Sequence, residues 1–431
     1  MKKNKESFTE KFLNLSKKYE GTTFNWQAPV VWDHARGAEI WDVDGNHYID
    51  WTSGVLVTNV GHAHPKLAAA ISRQSERLLN TFDFPTPERL SLAQKIVDLF
   101  PEHLDKVFFA TTGSEAIDIA MRIAKRFTRK YEILSFWGGF HGRSFGPMSL
   151  SGIGKIKHGF GPSLPGAIFA PYPYCYRCPF QKEPQDCNFL CVNVLDTIVD
   201  SQSTGNLAAL IIEPYQGTAG FIFPPVGYLK MVEDWAKKRD LVFILDEIQS
   251  SYGRTGKMWA LEHENLRPNI VTLGKGMGSG VPISAIVTEN RILAALQTGE
   301  LSSTLGGNPL CCAGALAVLE IMKEEKLAEK AAKTGAYLKE KLFKLKDKYK
   351  IIGDVRGIGL VYGIEFVKDR QSKEPMPDVT KEIVLKCVRS GLMVGKLGIY
   401  GNVMRVAPPL IIEMELIDKS VDILDKILSE I

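Results

Sequence analysis

The chain lacks several features that would each have fixed a function class. No uninterrupted apolar run approaches the ~18 residues that a membrane-spanning helix needs. The N-terminus is basic and then polar, with no apolar segment behind it, so no secretion signal is expected. Against 53 Lys and Arg stand 49 Asp and Glu, a net charge of +4. The lysine clusters at Lys2–Lys5 and Lys341–Lys350 are broken by polar or apolar residues and read as solvated helix faces, so neither a nucleic acid nor a membrane is expected as partner. No G-x-G-x-x-G opens a helix after the early strands, and no G-x-x-x-x-G-K-[ST] is present, which argues against nicotinamide and P-loop chemistry. Seven cysteines are an odd number, better suited to a reducing cytoplasm than to a disulfide scaffold. There is no internal repeat and no low-complexity linker.

What remains is an ordinary globular composition, 45% hydrophobic and 24% charged over 431 residues, enough for two or three domains. The first twenty or so residues pattern as an amphipathic helix carrying Phe8, Phe12, Leu13 and Leu15. Strand-like pieces at 38–41 and 47–51 flank the turn Asp44-Gly45-Asn46. From about 64 to 320, helical patterns alternate with short apolar runs at 107–110, 131–136, 208–212, 241–245 and 269–273. Such runs fit a mostly parallel sheet covered on both faces. Beyond 321, charged helices (325–348, 379–391, 414–429) alternate with strand-like 359–366 and 403–406. The expected architecture is α/β: an N-terminal segment (1–63) belonging to a small domain, a large domain (64–320), and a C-terminal α+β part (321–431).

Chemistry concentrates where those strands end. Lys275 stands between glycines after 269–273, Asp246 ends 241–245, Glu213 follows 208–212, and Thr112-Gly113-Ser114-Glu115 follows 107–110. Carboxyl ends of strands are where open α/β sheets bind ligands. An amine, a buried acid and a phosphate cradle at a helix start are the set that pyridoxal 5'-phosphate requires: a Schiff-base partner, a proton holder for the ring nitrogen, and phosphate donors. Each has a plainer reading. Gly113 and Ser114 fit an ordinary helix N-cap, Asp246 a strand-end carboxylate capping a neighbouring helix, and Lys275 a phosphate-binding lysine. Phe140 is placed to stack on a ring or to fill core. His141, beside it, reads as structural rather than as a proton carrier. Ile248 is placed to cover a ring's other face, with Gln249 reaching its phenolic oxygen.

Together these residues resemble a class III aminotransferase of the 4-aminobutyrate/ornithine type, among the fold type I pyridoxal-phosphate enzymes. The similarity runs from about Trp41 to Leu410. It rests on Gly61-His62-Ala63-His64-Pro65, Thr112-Gly113-Ser114-Glu115-Ala116, His141-Gly142-Arg143, Glu213-Pro214, Asp246-Glu247-Ile248-Gln249, Gly253-Arg254-Thr255-Gly256, Lys275, Ser303-Thr304-Leu305-Gly306-Gly307-Asn308-Pro309 and Arg405-Val406-Ala407-Pro408-Pro409-Leu410. The resemblance implies that Lys275 carries the Schiff base and moves the α-proton, and that Asp246 holds the pyridinium nitrogen. It implies that Gly113 and Ser114 bind phosphate and that Phe140 and Ile248 sandwich the ring. Thr304 is implied to reach the cofactor of a second subunit, which calls for a homodimer with shared sites. Arg405 resembles the arginine that holds a substrate carboxylate, a task suited to a bidentate guanidinium; an arginine paired structurally with an acid is the other reading. Trp26, Val55 and Leu56 are implied to line the substrate pocket.

Two departures matter. Relatives acting on 4-aminobutyrate or ornithine often carry Glu in the segment that reads Glu213-Pro214-Tyr215-Gln216-Gly217-Thr218, where that Glu gates the arginine; Thr218 stands in its place. Second, Cys175, Cys178, Cys187 and Cys191 follow a C-x2-C-x8-C-x3-C spacing compatible with zinc or an iron–sulfur cluster, although metal is foreign to the family's chemistry and reduced or packing thiols are favoured. The expected function is amino transfer from an amino acid, ω-amino acid or amine to a 2-oxo acid such as pyruvate, glyoxylate or 2-oxoglutarate. A racemase, epimerase or phospho-lyase on the same cofactor is the alternative. A non-catalytic scaffold would have allowed Lys275 or Asp246 to decay, and both are present.

Overall fold

The computed structural model describes residues 7–21, 23 and 27–431. Its centre is a seven-stranded sheet. The strands lie in the order Lys106–Ala110, Ser284–Thr288, Ile270–Leu273, Val242–Asp246, Leu207–Ile212, Glu132–Phe136, Ala167–Ala170. Only Ser284–Thr288 runs against its neighbours; the other pairings are parallel. The strands from Leu207–Ile212 and Val242–Asp246 are buried at every position. Their side chains alternate between two cores, as period-2 geometry demands. Ala209, Ile211, Val242, Ile244 and Ile270 pack with Ile117, Ala120 and Ile123 of the helix Gly113–Thr128. Leu210, Ile212, Phe243, Leu245, Val271 and Leu273 face the opposite layer. That two-sided burial is why these strands read as unbroken apolar runs. Each large side chain so covered contributes about 1.5–3 kcal/mol.

Five of the seven strands follow the sequence expectation to within a residue or so. Ala167–Ala170 and Ser284–Thr288 were not anticipated. The first is a four-residue edge strand paired on one side only, and the second is bounded by Ser284 and Thr288, so neither has a long apolar signature.

The two chain ends build a smaller α+β part. Trp32–Arg36, Glu39–Asp42 and His47–Asp50 form an antiparallel meander, closed by Leu392–Met393 running parallel to His47–Asp50. Ile352–Ile358, Val361–Phe366, Val403–Val406 and Gly395–Leu397 form a second, antiparallel sheet. The N-terminal helix spans Phe8–Tyr19, with Ser7 and Glu10 forming a reciprocal capping box. Trp26 lies outside the described residues. Among the described residues no helix is long and apolar enough to cross a membrane.

Arg254 ties these parts together. Its side chain is fully buried and donates from Nη1 to Leu360 O (2.9 Å) and Pro408 O (2.6 Å), and from Nη2 to Ser53 Oγ (3.3 Å) and Asn59 Oδ1 (2.7 Å). Asn59 in turn donates to Tyr252 O (2.8 Å) and packs against Gly276, next to Lys275.

Candidate active site

A 290 Å³ cavity opens at the carboxyl ends of the central strands. It is lined by Gly113, Ser114, Phe140, His141, Glu213, Thr218, Asp246, Ile248, Gln249 and Lys275, residues that lie up to 162 positions apart in the chain (275 − 113). Strand order, not sequence proximity, brings them together. Lys275 leaves the end of Ile270–Leu273 with φ +45°, a left-handed conformation that a residue with a side chain adopts only when its surroundings hold it. Burial pulls its ammonium below the ordinary lysine range, and Arg405 adds to this. Asp246 and Glu213 oppose it.

Asp246 is 5% exposed and accepts three hydrogen bonds, leaving Oδ2 room for one more. Oδ2 accepts from His141 Nδ1 (2.7 Å), while Oδ1 accepts from Ile248 N (3.1 Å) and Thr272 Oγ1 (3.1 Å). Burial alone would lower His141, but the hydrogen bond and charge of Asp246 outweigh it and the imidazole sits above its ordinary value. His141 is thereby held against Asp246, with the contact to the carboxylate made through Nδ1. Glu213 accepts from Phe140 N (2.9 Å) and Gly217 N (3.1 Å), and burial pushes its carboxyl up to about 7.

The helix Gly113–Thr128 begins at the cavity, and Thr112 is its true cap, accepting from Glu115 N (3.2 Å). Ser114 is left out of capping; its Oγ accepts from Arg143 N (3.1 Å). The free first-turn N–H groups and the helix dipole face the cavity. A Cβ at Gly113 would meet Ile248 at 3.0 Å, and one at Gly142 would meet Ser114 Oγ at 2.3 Å, so backbone approaches closely on both sides of this cradle. Gln249 Oε1 is buried without a partner. An anion cradle, a buried carboxylate, an unpaired amide oxygen and a neutralisable lysine are the donor set that a pyridoxal phosphate would use, and the residues fit that group.

Other expected residues fall elsewhere. Arg405 is half-buried beside the cavity, near enough to Lys275 to depress its ammonium. Burial brings its own guanidinium down to about 10, with Asp50 the opposing charge. It forms no ion pair within 4.0 Å among the described residues. Thr304 is exposed and does not line its own chain's cavity; its loop is anchored by Ser303 Oγ to Glu115 (2.6 Å). Val55 is 47% exposed and outside the cavity. Leu56 is a correction: it is 1% exposed, packed with Tyr215, Phe221 and Ala407, and is core. For the four cysteines the sequence favoured reduced or packing thiols over a metal. Among the described residues no group of three or more His, Cys, Asp or Glu is arranged to hold a metal ion; burial, helped by the neighbouring thiols, pushes the Cys175 and Cys191 thiols up to about 11. Arg143 was quoted in the sequence only as part of a match; it stands exposed at the cavity, its guanidinium 5.8 Å from the Phe140 ring. Its sequence signal was a cation two residues past His141, after a strand-like run.

Fold and cavity define a fold type I pyridoxal-phosphate-dependent enzyme. The family model for aminotransferase class-III matches residues 23–428, and the chain belongs to that family. Leucine/methionine racemase of Thermococcus litoralis is 37% identical over 99% of this chain and 96% of its own length. Acetylornithine aminotransferase of Methanothermobacter thermautotrophicus is 36% identical over 98% and 100%. Among solved structures, a Bacillus anthracis aminotransferase superposes with a TM-score of 0.91 at 30% identity, covering 98% of this chain and 99% of that one.

Proposed function

We propose that the protein is a homodimeric, cytoplasmic aminotransferase that moves an amino group from an amino acid, ω-amino acid or amine to a 2-oxo acid. The observation that carries this reading is Lys275, a half-buried lysine with a depressed ammonium, opening on the same cavity as Asp246 and the start of the Gly113–Thr128 helix. Pyridoxal phosphate, when bound, supplies the electron sink. Gly113 and Ser114 would hold its phosphate, Phe140 and Ile248 its ring faces, Gln249 its phenolic oxygen, and Asp246, fixed by His141, its ring nitrogen. Lys275 supplies the amine that is neutral below the ordinary lysine range, and so takes and returns the α-proton at Nζ. Arg405, without an ion pair of its own, offers a fork for a carboxylate. Thr304, exposed on its own chain, would complete the phosphate site of a second subunit.

The racemase among the relatives gives the competing reading its weight. Racemisation needs a second acid or base facing the first. Among the described residues lining the cavity, Asp246 accepts three hydrogen bonds, His141 is tied to it, Glu213 accepts two backbone N–H groups, the Tyr215 hydroxyl donates to Gln249 O (3.3 Å), and position 218 is Thr. That favours transfer. The test is a single-turnover half-reaction: protein loaded with pyridoxal phosphate is mixed with one α- or ω-amino donor at a time and followed by absorbance. Conversion to the pyridoxamine form with release of the oxo product supports transfer. A spectrum that persists while the α-hydrogen exchanges with deuterated solvent and the amino acid loses optical purity refutes it.

A further inference from the structure

The loop after Leu207–Ile212 is held by the small lobe as much as by the sheet it leaves. Gln216 and Ile222 pair as an antiparallel bridge (2.9 and 3.0 Å), so residues 217–221 form a tight hairpin tip. Four consecutive carbonyls of that tip turn to the small lobe. Thr218 O accepts from Gly398 N (3.2 Å) and Ala219 O from Ile399 N (3.2 Å). Gly220 O accepts from Arg356 Nη2 (2.6 Å) and Nε (3.0 Å), and Phe221 O from Nε (3.0 Å). The rest of the Arg356 fork is also committed: Nη1 donates to Asp354 (3.0 Å) and Glu365 (2.7 Å), and Nη2 reaches the Tyr174 hydroxyl (3.5 Å). Glu365 is fully buried and is shared with Arg177 Nε (2.7 Å). At Gly220 (φ +128°) a Cβ would stand 3.0 Å from Arg356 Nη2, so the guanidinium lies flat against the tip. The same tip carries Thr218 into the cavity that holds Lys275.

We propose that Arg356 is a specificity-determining positioning residue: by gripping the Gly220 and Phe221 carbonyls from the small lobe it sets where Thr218 stands, and so which amino donors the cavity accepts. The inference rests on the amino-acid-transforming reading of the site. A planar five-donor fork can hold two carbonyls and two carboxylates at once, and a lysine ammonium with three donors on a flexible stem cannot. Substituting it releases the tip without removing any group from the cavity wall.

The test is a double-mutant cycle with Arg356→Lys and Thr218→Ala on protein loaded with pyridoxal phosphate. The absorbance change on titration with 4-aminobutyrate, L-ornithine and L-leucine gives an apparent Kd for each, alongside the rate at saturation. Arg356→Lys is expected to raise the apparent Kd about tenfold and to reorder the three donors, with the saturating rate held within about threefold. In the Thr218→Ala background its effect on Kd is expected to shrink to about twofold. Additive effects of the two substitutions, or an equal loss in saturating rate and affinity for every donor, would overturn the proposal. A wild-type protein that answers none of the three donors, nor a wider amine panel, would overturn the reading of the site instead. Glu365→Gln, which keeps the shape of the clamp while removing one of its two carboxylates, provides the same readout with a smaller change if Arg356→Lys does not fold.

Discussion

Replacing Arg254 with Met tests the claim that one buried guanidinium joins the parts of the molecule behind the cavity. Four acceptors would lose their donor: Leu360 O, Pro408 O, Ser53 Oγ and Asn59 Oδ1. Ser53 Oγ keeps its own hydrogen bond to Ala407 O (2.6 Å); each of the other three buried acceptors left unpaired costs about 1 kcal/mol or more, so the loss is about 3 kcal/mol before relief of the guanidinium's desolvation offsets part of it. Unfolding entropy for 431 residues is about 0.9 kcal/mol/K, which turns the loss into a Tm lowered by at most about 3 °C. Arg254→Lys, able to reach two of the four acceptors, should lower it by about half as much. Differential scanning calorimetry of the apo-proteins measures both. The cavity should also feel the change, because Asn59 braces Gly276; slower capture of pyridoxal phosphate is expected in the same order. A Met variant within 1 °C of wild type, or a Lys variant worse than Met, would refute the argument that these four bonds act as a joint.

Other outcomes follow from the same geometry. Because burial lowers the folded-state Lys275 below its unfolded value, the unfolded chain binds the extra proton in the window beneath 10.5. The penalty is complete below the folded value and vanishes as pH rises to the unfolded one. The stability gained by Lys275→Met in apo-protein should therefore shrink as pH climbs toward 10.5, and a gain that is flat or grows with pH would contradict the assignment. Restoring an acid with Thr218→Glu should raise the KM for α-amino donors about tenfold while sparing ω-amines, as steady-state kinetics with the two classes will show; equal effects on both would separate position 218 from the Arg405 fork. If Thr304 completes a partner's site, mixing inactive Lys275→Met and Thr304→Glu subunits should restore turnover in the heterodimer, and an inactive heterodimer would count against sharing.

The sequence by itself determined where candidate chemistry concentrates, at the ends of the central strands. Lys275 between glycines, Asp246 at a strand end and Thr112-Gly113-Ser114 at a helix start were legible because their local contexts are incompatible with solvated surface. Uninterrupted apolar runs likewise announced a sheet buried on both faces, since alternating side chains feed two cores. What the sequence left open were relations among elements distant in the chain. Ser284–Thr288 inserts antiparallel between two strands that otherwise run alike, and nothing in five residues encodes that pairing. Leu56 looked like a pocket residue and is core, because the Tyr215 and Phe221 rings fold over it. The cysteine spacing allowed a metal loop; the four thiols do lie near one another, yet among the described residues no group of three or more His, Cys, Asp or Glu is arranged to hold a metal ion. Arg254 was only part of a matched segment and Arg356 one arginine among many until the tertiary structure brought carbonyls from separate segments into reach of each fork. A hydrogen-bonding joint depends on where acceptors meet in space, and only packing of the lobes decides that.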